Sequence, residues 1–345
     1  MGVNLTPIIP RKKISLKSLR GKIIAFDALN VIYQFLSLIR LPYGEPLRDG
    51  SGRITSHLVG IVNRYTRLIV DYEIKPIFVF DGLSHPLKKK EILKRRKLRE
   101  KSFREWQEAL QRGDFEKAFS KAVTALKLED YMIDDTKRLL SYMGIPYVDA
   151  PYDAEAQAAY IVSRGDAWSV GTMDYDTLLY GAPRMTRYIT LTGFEWLPSK
   201  GIARRLIPEL ILLDETLNFL KINRKQLIDI AILIGTDYNE GIKGIGPKKA
   251  LKLIKIYGSL ERLPKDIYEK LPHNYEEIRK IFLFPEVKKD YSIEFRKPDF
   301  NKLKSFLVEE RDFSEKRVNN IIRRLEKVSW YFIQRDISKY FDKEK

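Results

Sequence analysis

Two aspartates that lie two residues apart follow a short apolar run in the middle of the chain. The stretch Val170–Gly181 contains Asp174 and Asp176 just after a predicted strand at residues 168–172. Open α/β sheets bind ligands at the carboxyl ends of their strands, and side-chain alternation would turn both carboxylates the same way. Two carboxylates this close repel each other unless a cation lies between them, and Mg²⁺ or Mn²⁺ prefers such oxygen ligands. Taken alone, the pair also fits a solvated turn or a helix cap.

Five further acidic residues stand at the ends of predicted strands and helices. They are Asp27, Asp81, Asp153, Glu155 and Asp237. Because parallel strands place their carboxyl ends at one edge of a sheet, we expect all seven acids to converge. That much negative charge requires two or more divalent cations, which roughly 3.5–4 Å apart can activate water and stabilise the leaving oxygen of a phosphodiester. Helix capping is an alternative role for Asp153 that requires no metal.

Composition narrows the kinds of site that the chain can hold. Among 345 residues there is no cysteine and there are three histidines, which excludes thiolate sites and disfavours a histidine-rich zinc site. The 63 Lys and Arg residues against 46 Asp and Glu give a net charge of +17, which favours a polyanionic partner such as nucleic acid. No segment approaches the roughly 18 consecutive apolar residues that span a bilayer, so we expect no membrane contact.

The succession of predicted strands and helices indicates how the acids are positioned. Strands are predicted at 22–27, 75–81, 145–148, 168–172 and 188–192. Helices are predicted at 28–41, 55–72, 114–142 and from about 151, with one or two further helices over 300–327. Strand–helix–strand order is typical of a parallel sheet. The sequence therefore predicts an α/β fold with a mainly parallel central sheet flanked by helices, followed from about residue 206 by a mainly helical region.

Two basic features could hold a polyanion. The segment Lys88–Arg104 carries ten Lys and Arg against two Glu; it predicts a projecting basic arm, with a solvated helix face as the alternative. Further on, Gly244, Gly246, Lys248 and Lys249 lie between two predicted helices, where glycines and helix-start N–H groups can bind duplex phosphates without reading bases. Together with the acids, these features predict a metal-dependent nuclease.

The end of the chain carries a short pattern of spaced hydrophobic residues. It consists of Gln334, Ile337, Tyr340 and Phe341. This spacing suits one helical turn that inserts into a partner's pocket. A frayed amphipathic tail is the alternative.

Across nearly its whole length, the chain resembles the structure-specific 5′ nucleases of the XPG/RAD2-like superfamily, and most closely the flap endonucleases of archaea and eukaryotes. The segments that carry the resemblance are Asp27–Phe35, Thr55–Leu58, Val79–Gly82, Met143–Pro146, Ala154–Ala159, Asp174–Asp176, Gly235–Tyr238, Gly244–Ala250 and the terminal box. The resemblance implies a PIN-like nuclease core, a helical arch and a C-terminal helix-hairpin-helix region. It implies endonuclease and 5′–3′ exonuclease cleavage of DNA at single/double-strand junctions, in Okazaki-fragment maturation and long-patch base excision repair.

The resemblance also implies roles for individual residues. It makes the seven acids ligands of two Mg²⁺ ions, for which Mn²⁺ can substitute. Lys88 and Arg95 match residues that steer the scissile phosphate, Tyr33 matches one that stacks on a nearby base, and Arg64 and Thr55 match contacts to the duplex and a short 3′ flap. The Gly244–Lys249 segment matches a hairpin that grips the duplex, often with bound K⁺. The terminal box matches a binding motif for the replication sliding clamp.

One position departs from the family pattern, because Asp153 stands where the family usually has Glu. The missing methylene retracts the carboxylate by roughly 1.5 Å, so Asp153 is expected to reach a metal through water. The expected domains are 1–82 and 136–205 for the core, 83–135 for the arch, 206–327 for the helical DNA-binding region and 328–345 for the tail. We expect an intracellular, DNA-associated monomer, cytoplasmic or nucleoid if the source is archaeal. Two alternatives stay open: a sister 5′ nuclease of bubbles, junctions or recessed ends, and a non-catalytic scaffold recruited by the clamp.

Overall fold

The computed structural model describes residues 2–41, 44–190, 194–197 and 202–328, with only the backbone of 194–197 and 202–205. The strands are β1 (Lys12–Lys13), β2 (Ile23–Asp27), β3 (Lys75–Phe80), β4 (Tyr147–Asp149), β5 (Ser169–Gly171), β6 (Arg184–Arg187), β7 (Phe194–Leu197), β8 (Ile202–Arg205), β9 (Glu209–Leu212), β10 (Gly235–Thr236) and β11 (Asn239–Glu240). The helices are α1 (Ala28–Leu38), α2 (Ser56–Tyr72), α3 (Lys89–Gln111), α4 (Phe115–Ala125), α5 (Asp130–Tyr142), α6 (Ala154–Ser163), α7 (Asp176–Leu179), α8 (Leu213–Leu220), α9 (Arg224–Ile234), α10 (Pro247–Tyr257), α11 (Lys265–Tyr268), α12 (Tyr275–Leu283), α13 (Phe300–Lys304) and α14 (Glu315–Glu326). None of the helices in these ranges is long and apolar enough to cross a membrane.

The central sheet has seven strands in the order β1-β9-β6-β5-β2-β3-β4. Strands β2, β5 and β6 pair in parallel, whereas β9 pairs antiparallel with β6 and with β1. The sheet is therefore mixed, with a parallel centre and an antiparallel edge. The parallel register sets Phe26 opposite Gly171, so that the ends of β2 and β5 are level.

Tertiary contacts divide the chain into two compact units. The first unit comprises Met1–Asp27, Val79–Ile92 and Asp149–Asp290, and the second comprises Ala28–Phe78, Leu93–Val148 and Tyr291–Lys345. The domain boundaries expected from the sequence remain a prediction.

In the first unit, a helix rich in alanine covers the parallel strands. All five residues of β2 are buried, and α6 packs on both β2 and β5. The small side chains of Ala156, Ala158 and Ala159 allow this helix to lie close to the sheet. As a result, the start of α6 lies beside the carboxyl ends of the two strands.

In the second unit, α2 is the central helix, and it packs on α1, α5 and α14. Its Gly60 makes room for Phe35 of α1, because a β-carbon on Gly60 would lie 2.1 Å from that ring. Buried within this unit, Asp135 accepts hydrogen bonds of 2.8 and 2.7 Å from the Arg311 guanidinium. His57 is also fully buried.

Two expectations about elements were wrong. The helix predicted over 114–142 is two helices, because residues 126–129 are not helical, and no Gly or Pro marks this break. Of the strand predicted at 188–192, residues 188–190 are not in a strand and 191–192 lie outside the described residues; the strand spans Arg184–Arg187, and Tyr188 takes a left-handed backbone (φ 57°). The region after 206 is mainly helical, as expected; it begins with β9, which adds the antiparallel edge of the sheet.

Candidate active site

Three carboxylates of the first unit come together at the ends of β5 and α6. One oxygen from each of Glu155, Asp174 and Asp176 lies within 4.8 Å of the others. Glu155 is in the first turn of α6, Asp174 lies in the turn after β5, and Asp176 begins α7. We call these three residues the acid cluster. Strand alternation does not orient the two aspartates, because the strand has ended at Gly171 and the turn brings them together.

Local hydrogen bonds shape that turn. The Asp174 N–H donates to Thr172 Oγ1 at 3.1 Å, and the Asp176 N–H donates to Asp174 Oδ1 at 3.2 Å. Thr172 Oγ1 also donates to Glu155 Oε1 at 3.3 Å. The turn is therefore tied to the first turn of α6 by the side chain of one threonine.

The N-terminal residues lie against the acid cluster, which sequence reasoning missed. The Val3 N–H donates to Asp176 Oδ1 at 3.0 Å. A β-carbon on Gly2 would lie 1.8 Å from Asp174 Oδ1, and Gly2 has a φ of 57°, so only glycine fits there. No spacing in the sequence connects residue 2 with residue 174; a glycine at the second position was the only signal.

The surroundings of the acid cluster oppose ionisation of Glu155 and Asp176. Burial, followed by the nearby charges of Asp174, Asp176 and Asp27, raises the pKa of Glu155 well above its ordinary value. Burial and Asp174 raise the pKa of Asp176 in the same way. Since a divalent cation would remove this repulsion, the oxygen-only donor set fits a hard metal ion such as Mg²⁺ or Mn²⁺.

The side chain of Asp81, and not that of Asp153, accepts a hydrogen bond from the backbone at the start of α6. The Ala154 N–H at the start of α6 donates to Asp81 Oδ1 at 2.6 Å. Burial raises the pKa of Asp81, as do the charges of Asp153 and Asp237, although the hydrogen bond opposes this shift. Asp153 occupies the N-cap position itself, but its side chain makes no capping hydrogen bond.

The Asp153 carboxylate is held instead by Lys88 and two tyrosines. Lys88 Nζ lies 2.5 Å from Asp153 Oδ1, and the hydroxyls of Tyr180 and Tyr238 both donate to Oδ2. Burial alone would raise the pKa of Asp153, but the Lys88 charge and these hydrogen bonds lower it. Sequence reasoning missed the tyrosines, although each directly follows or lies close to an acid motif.

The remaining acids of the predicted set belong to the same unit. Asp27 is the buried last residue of β2, and Asp237 lies in the turn between β10 and β11. Asp27 raises the pKa of Glu155, and Asp237 raises that of Asp81 and Asp176, so both lie within electrostatic range of the others. The first unit thus contains all seven acids and Lys88.

Four other predicted site residues lie in the second unit, each on a helix or at its N-cap. Tyr33 lies half-buried on α1 and Arg95 half-buried on α3, the long basic helix. Thr55 is buried at the N-cap of α2, and Arg64 is half-buried on the same helix.

The predicted phosphate-binding hairpin belongs to the first unit and is open to solvent. Gly246 is the N-cap of α10, and Lys248 and Lys249 are exposed in its first turn. A β-carbon on Gly244 or Gly246 would meet nothing within 4 Å, and Gly244 has a φ of 84°. The backbone can therefore be approached closely at both glycines. The terminal box of Gln334, Ile337, Tyr340 and Phe341 lies outside the described residues.

Comparison with known proteins decides the family. The XPG N-terminal domain model matches residues 1–102, and the XPG I-region model matches residues 144–237. Flap endonuclease 1 of Staphylothermus marinus is 50% identical over 333 residues, which cover 95% of each chain. The chain belongs to the flap endonuclease 1 family.

Other relatives and solved structures agree with this assignment. Flap endonuclease 1 of Pyrococcus abyssi is 48% identical over the full length of both chains. The structure of flap endonuclease-1 from Methanococcus jannaschii matches with a TM-score of 0.75 and 40% identity, covering 96% of this chain and 99% of that one. The catalytic core of Rad2 in complex with DNA substrate matches with a TM-score of 0.69 and 25% identity, covering 91% and 96%.

The comparisons confirm the fold class and the activity expected from the sequence. The protein is a structure-specific 5′ flap endonuclease, a hydrolase of DNA phosphodiesters that acts in replication and repair. They favour this activity over a junction-specific sister nuclease or a non-catalytic scaffold. The family's chemistry depends on divalent metal, for which the acid cluster supplies a fitting site.

Proposed function

We propose that the acid cluster, with Asp27, Asp81 and Asp237 around it, holds two Mg²⁺ ions that Mn²⁺ can replace. The observation that carries this proposal is the convergence of Glu155, Asp174 and Asp176 within 4.8 Å. When bound, the ions supply activation of the attacking water and neutralisation of the leaving oxygen. The oxygens of Asp153, the seventh acid, accept three hydrogen bonds, from Lys88, Tyr180 and Tyr238.

In this proposal, Lys88 presents its ammonium to the scissile phosphate. Its side chain is 20% exposed beside the acids, and the Asp153 charge raises the pKa of Lys88 against the effect of burial, so the group stays cationic. Arg95 steers the same phosphate from α3, and Tyr33 stacks on the adjacent base. A positive charge near a cluster of carboxylates lets a polyanion approach a site that would otherwise repel it.

The DNA is a branched duplex with a 5′ flap, and the hairpin of the first unit holds its backbone. The open glycines Gly244 and Gly246 and the exposed Lys248 and Lys249 support this role, with K⁺ as an additional ligand of the hairpin. Thr55 and Arg64 contact a short 3′ flap and the duplex. These contacts serve Okazaki-fragment maturation and long-patch base excision repair.

The terminal box binds the replication sliding clamp and so recruits the enzyme to it. The enzyme acts on DNA as a monomer, in the cytoplasm or nucleoid. Gln334, Ile337, Tyr340 and Phe341 have the spacing of a one-turn anchor. Deleting residues 334–345 is expected to abolish stimulation of cleavage by the clamp, measured as the ratio of rates with and without it. An unchanged ratio would show that the box has no such role.

The proposed function is tested with a double-flap DNA labelled at its 5′ end. We expect release of the labelled flap with Mg²⁺ or Mn²⁺ and no release with a chelator. The same duplex without the 5′ flap serves as the substrate control, and Asp176→Asn as the enzyme control. Cleavage that persists at full rate in the chelator would exclude the metal site.

A further inference from the structure

Asp153 differs from the acid cluster in what it contacts. Its Oδ1 accepts a hydrogen bond from Lys88 Nζ at 2.5 Å, and its Oδ2 accepts one from Tyr180 at 2.6 Å and another from Tyr238. Both oxygens are therefore occupied by donors, and the side chain is only 14% exposed. An ionised carboxylate offers about four lone-pair sites, so the three hydrogen bonds leave Asp153 about one site for a cation.

The two tyrosines form a rigid support under this carboxylate. Their hydroxyls lie 2.8 Å apart, and each residue is 7% exposed. Phe282 packs against both rings, with centroids 4.9 Å from Tyr180 and 5.5 Å from Tyr238, and His85 packs edge-on against Tyr238 at 5.7 Å. Residues packed in this way hold their side chains in one orientation.

Two neighbours, the Asp153 carboxylate and the Tyr238 ring, fix the position of the Lys88 ammonium. In addition to the ion pair with Asp153, its Nζ lies 5.1 Å from the centroid of the Tyr238 ring. A lysine side chain has four rotatable bonds and otherwise loses much entropy on being ordered. The contacts with Asp153 and Tyr238 define where its ammonium points.

We propose that Asp153, held by Tyr180 and Tyr238, is a positioning residue for Lys88 and does not ligate metal. The inference rests on the proposed function, in which Lys88 steers the scissile phosphate and the acid cluster binds the ions. It gives a reason for aspartate at this position, since the shorter side chain ends where both tyrosine hydroxyls and the ammonium can reach it. The Lys88 ammonium is thereby oriented before DNA binds, so that less side-chain entropy is lost on reaching the transition state.

The first experiment measures metal binding without DNA. Mn²⁺ is titrated into the full chain and into Asp153→Asn and Asp176→Asn, with free Mn²⁺ followed by electron paramagnetic resonance. We expect Asp153→Asn to change the Mn²⁺ affinity by less than about two-fold, and Asp176→Asn to weaken it by about ten-fold or more. Equal weakening by both substitutions would overturn the proposal, because it would make Asp153 a metal ligand.

The second experiment measures single-turnover cleavage and DNA affinity in a double-mutant cycle. Asp153→Asn is expected to lower the rate at saturating DNA by about 10- to 100-fold with an unchanged Kd for DNA, and to have no further effect in a Lys88→Met background. Independent effects of the two substitutions would also overturn the proposal. A failure of Asp176→Asn to affect either metal binding or cleavage would instead refute the proposed function itself.

Milder variants guard against misfolding of Asp153→Asn. Tyr180→Phe and Tyr238→Phe each remove one hydrogen bond to the carboxylate, and the double variant should show part of the same loss, again absent when Lys88 is methionine. Tyr275→Phe is the matched control, because Tyr275 is also buried in the first unit but its hydroxyl pairs with Tyr268. Equal losses in the control and in the Tyr180/Tyr238 double variant would contradict a specific positioning role.

Discussion

In the second unit, the buried Asp135 is paired with an equally buried cation, whereas the acid cluster of the first unit gathers three carboxylates. Asp135 accepts two hydrogen bonds from Arg311, and the two residues are 4% and 6% exposed. Burial and the neighbouring carboxylates raise the pKa of both Glu155 and Asp176 well above the ordinary value. Arg311 thus stabilises the ionised form of Asp135, whereas the surroundings of the acid cluster oppose ionisation of Glu155 and Asp176.

This difference separates a structural carboxylate from one that serves a ligand. A buried charge without a partner costs several kcal/mol, so folds normally supply the opposite charge. In the acid cluster, neighbouring carboxylates oppose the ionisation of Glu155 and Asp176, and a bound divalent ion would reduce this repulsion. The same substitution of Asp by Asn should therefore have opposite consequences in the two units.

The largest effect is expected for Asp176→Asn. The amide cannot neutralise a metal, so single-turnover cleavage should fall by at least about 10⁴-fold, equal to about 5 kcal/mol of transition-state stabilisation. Flap binding should persist, and the metal-free protein should be no less stable, because the amide oxygen can still accept from the Val3 N–H while the repulsion is gone. Cleavage kinetics and urea unfolding measure the two quantities; full activity would refute the metal-site assignment.

Asp135→Asn should act on stability instead. It leaves the buried Arg311 guanidinium without its carboxylate, which should lower the free energy of unfolding by about 3–5 kcal/mol. Urea unfolding measures this loss, and Mn²⁺ titration should show unchanged metal affinity. If Asp135→Asn and Asp176→Asn changed stability in the same direction and to the same extent, the contrast between the two clusters would be lost.

The buried His57 shows how burial and the Arg311 charge together affect the protonation of a neighbouring side chain in the second unit. Burial, followed by the Arg311 charge, lowers the pKa of His57 to about 3, and neither ring nitrogen has a hydrogen-bond partner among the described residues. Because the folded pKa lies below the ordinary value of about 6.5, stability is complete above that pH and declines as the pH falls towards 3. At pH 5 the loss should be about 2 kcal/mol.

Proton NMR provides a direct measurement, since the chain has three histidines. The His57 resonance, assigned by its disappearance in His57→Phe, should not titrate between pH 5 and 8 in the folded protein. The variant should also lose less stability than the native chain between pH 7 and pH 5. A His57 resonance with an ordinary titration would show that the interior of the second unit tolerates a second cation.

The smallest effect is expected for Glu310→Gln. Glu310 accepts two hydrogen bonds from Arg138, at 2.9 and 2.6 Å, but the two side chains are 41% and 37% exposed. Solvent screens such a pair, so the free energy of unfolding should fall by less than about 1 kcal/mol. A loss as large as that of Asp135→Asn would mean that burial does not determine how much an ion pair contributes to the free energy of unfolding.

Much of the site could be predicted from local sequence because the acids stand at element ends. Asp27 and Asp81 each end an apolar run, and Asp174 and Asp176 follow another, which is sufficient to predict a common edge in a parallel sheet. Element bounds were less predictable. The residues Tyr188–Thr190 have strand-like composition, but the strand ends at Arg187, before the left-handed backbone of Tyr188.

The amino-acid sequence by itself determined the α/β class, the carboxylate chemistry and the polyanionic partner. These properties follow from periodicity, residue type and net charge, which do not require knowledge of distant contacts. Only the tertiary structure decided that Gly2 and Val3 lie against Asp174 and Asp176, and that Asp153 faces Lys88 and two tyrosines. Such contacts join residues up to 173 positions apart, and their selection depends on packing of the whole unit. The sequence therefore determined which groups the site contains, and the fold decided which acids are left for a metal.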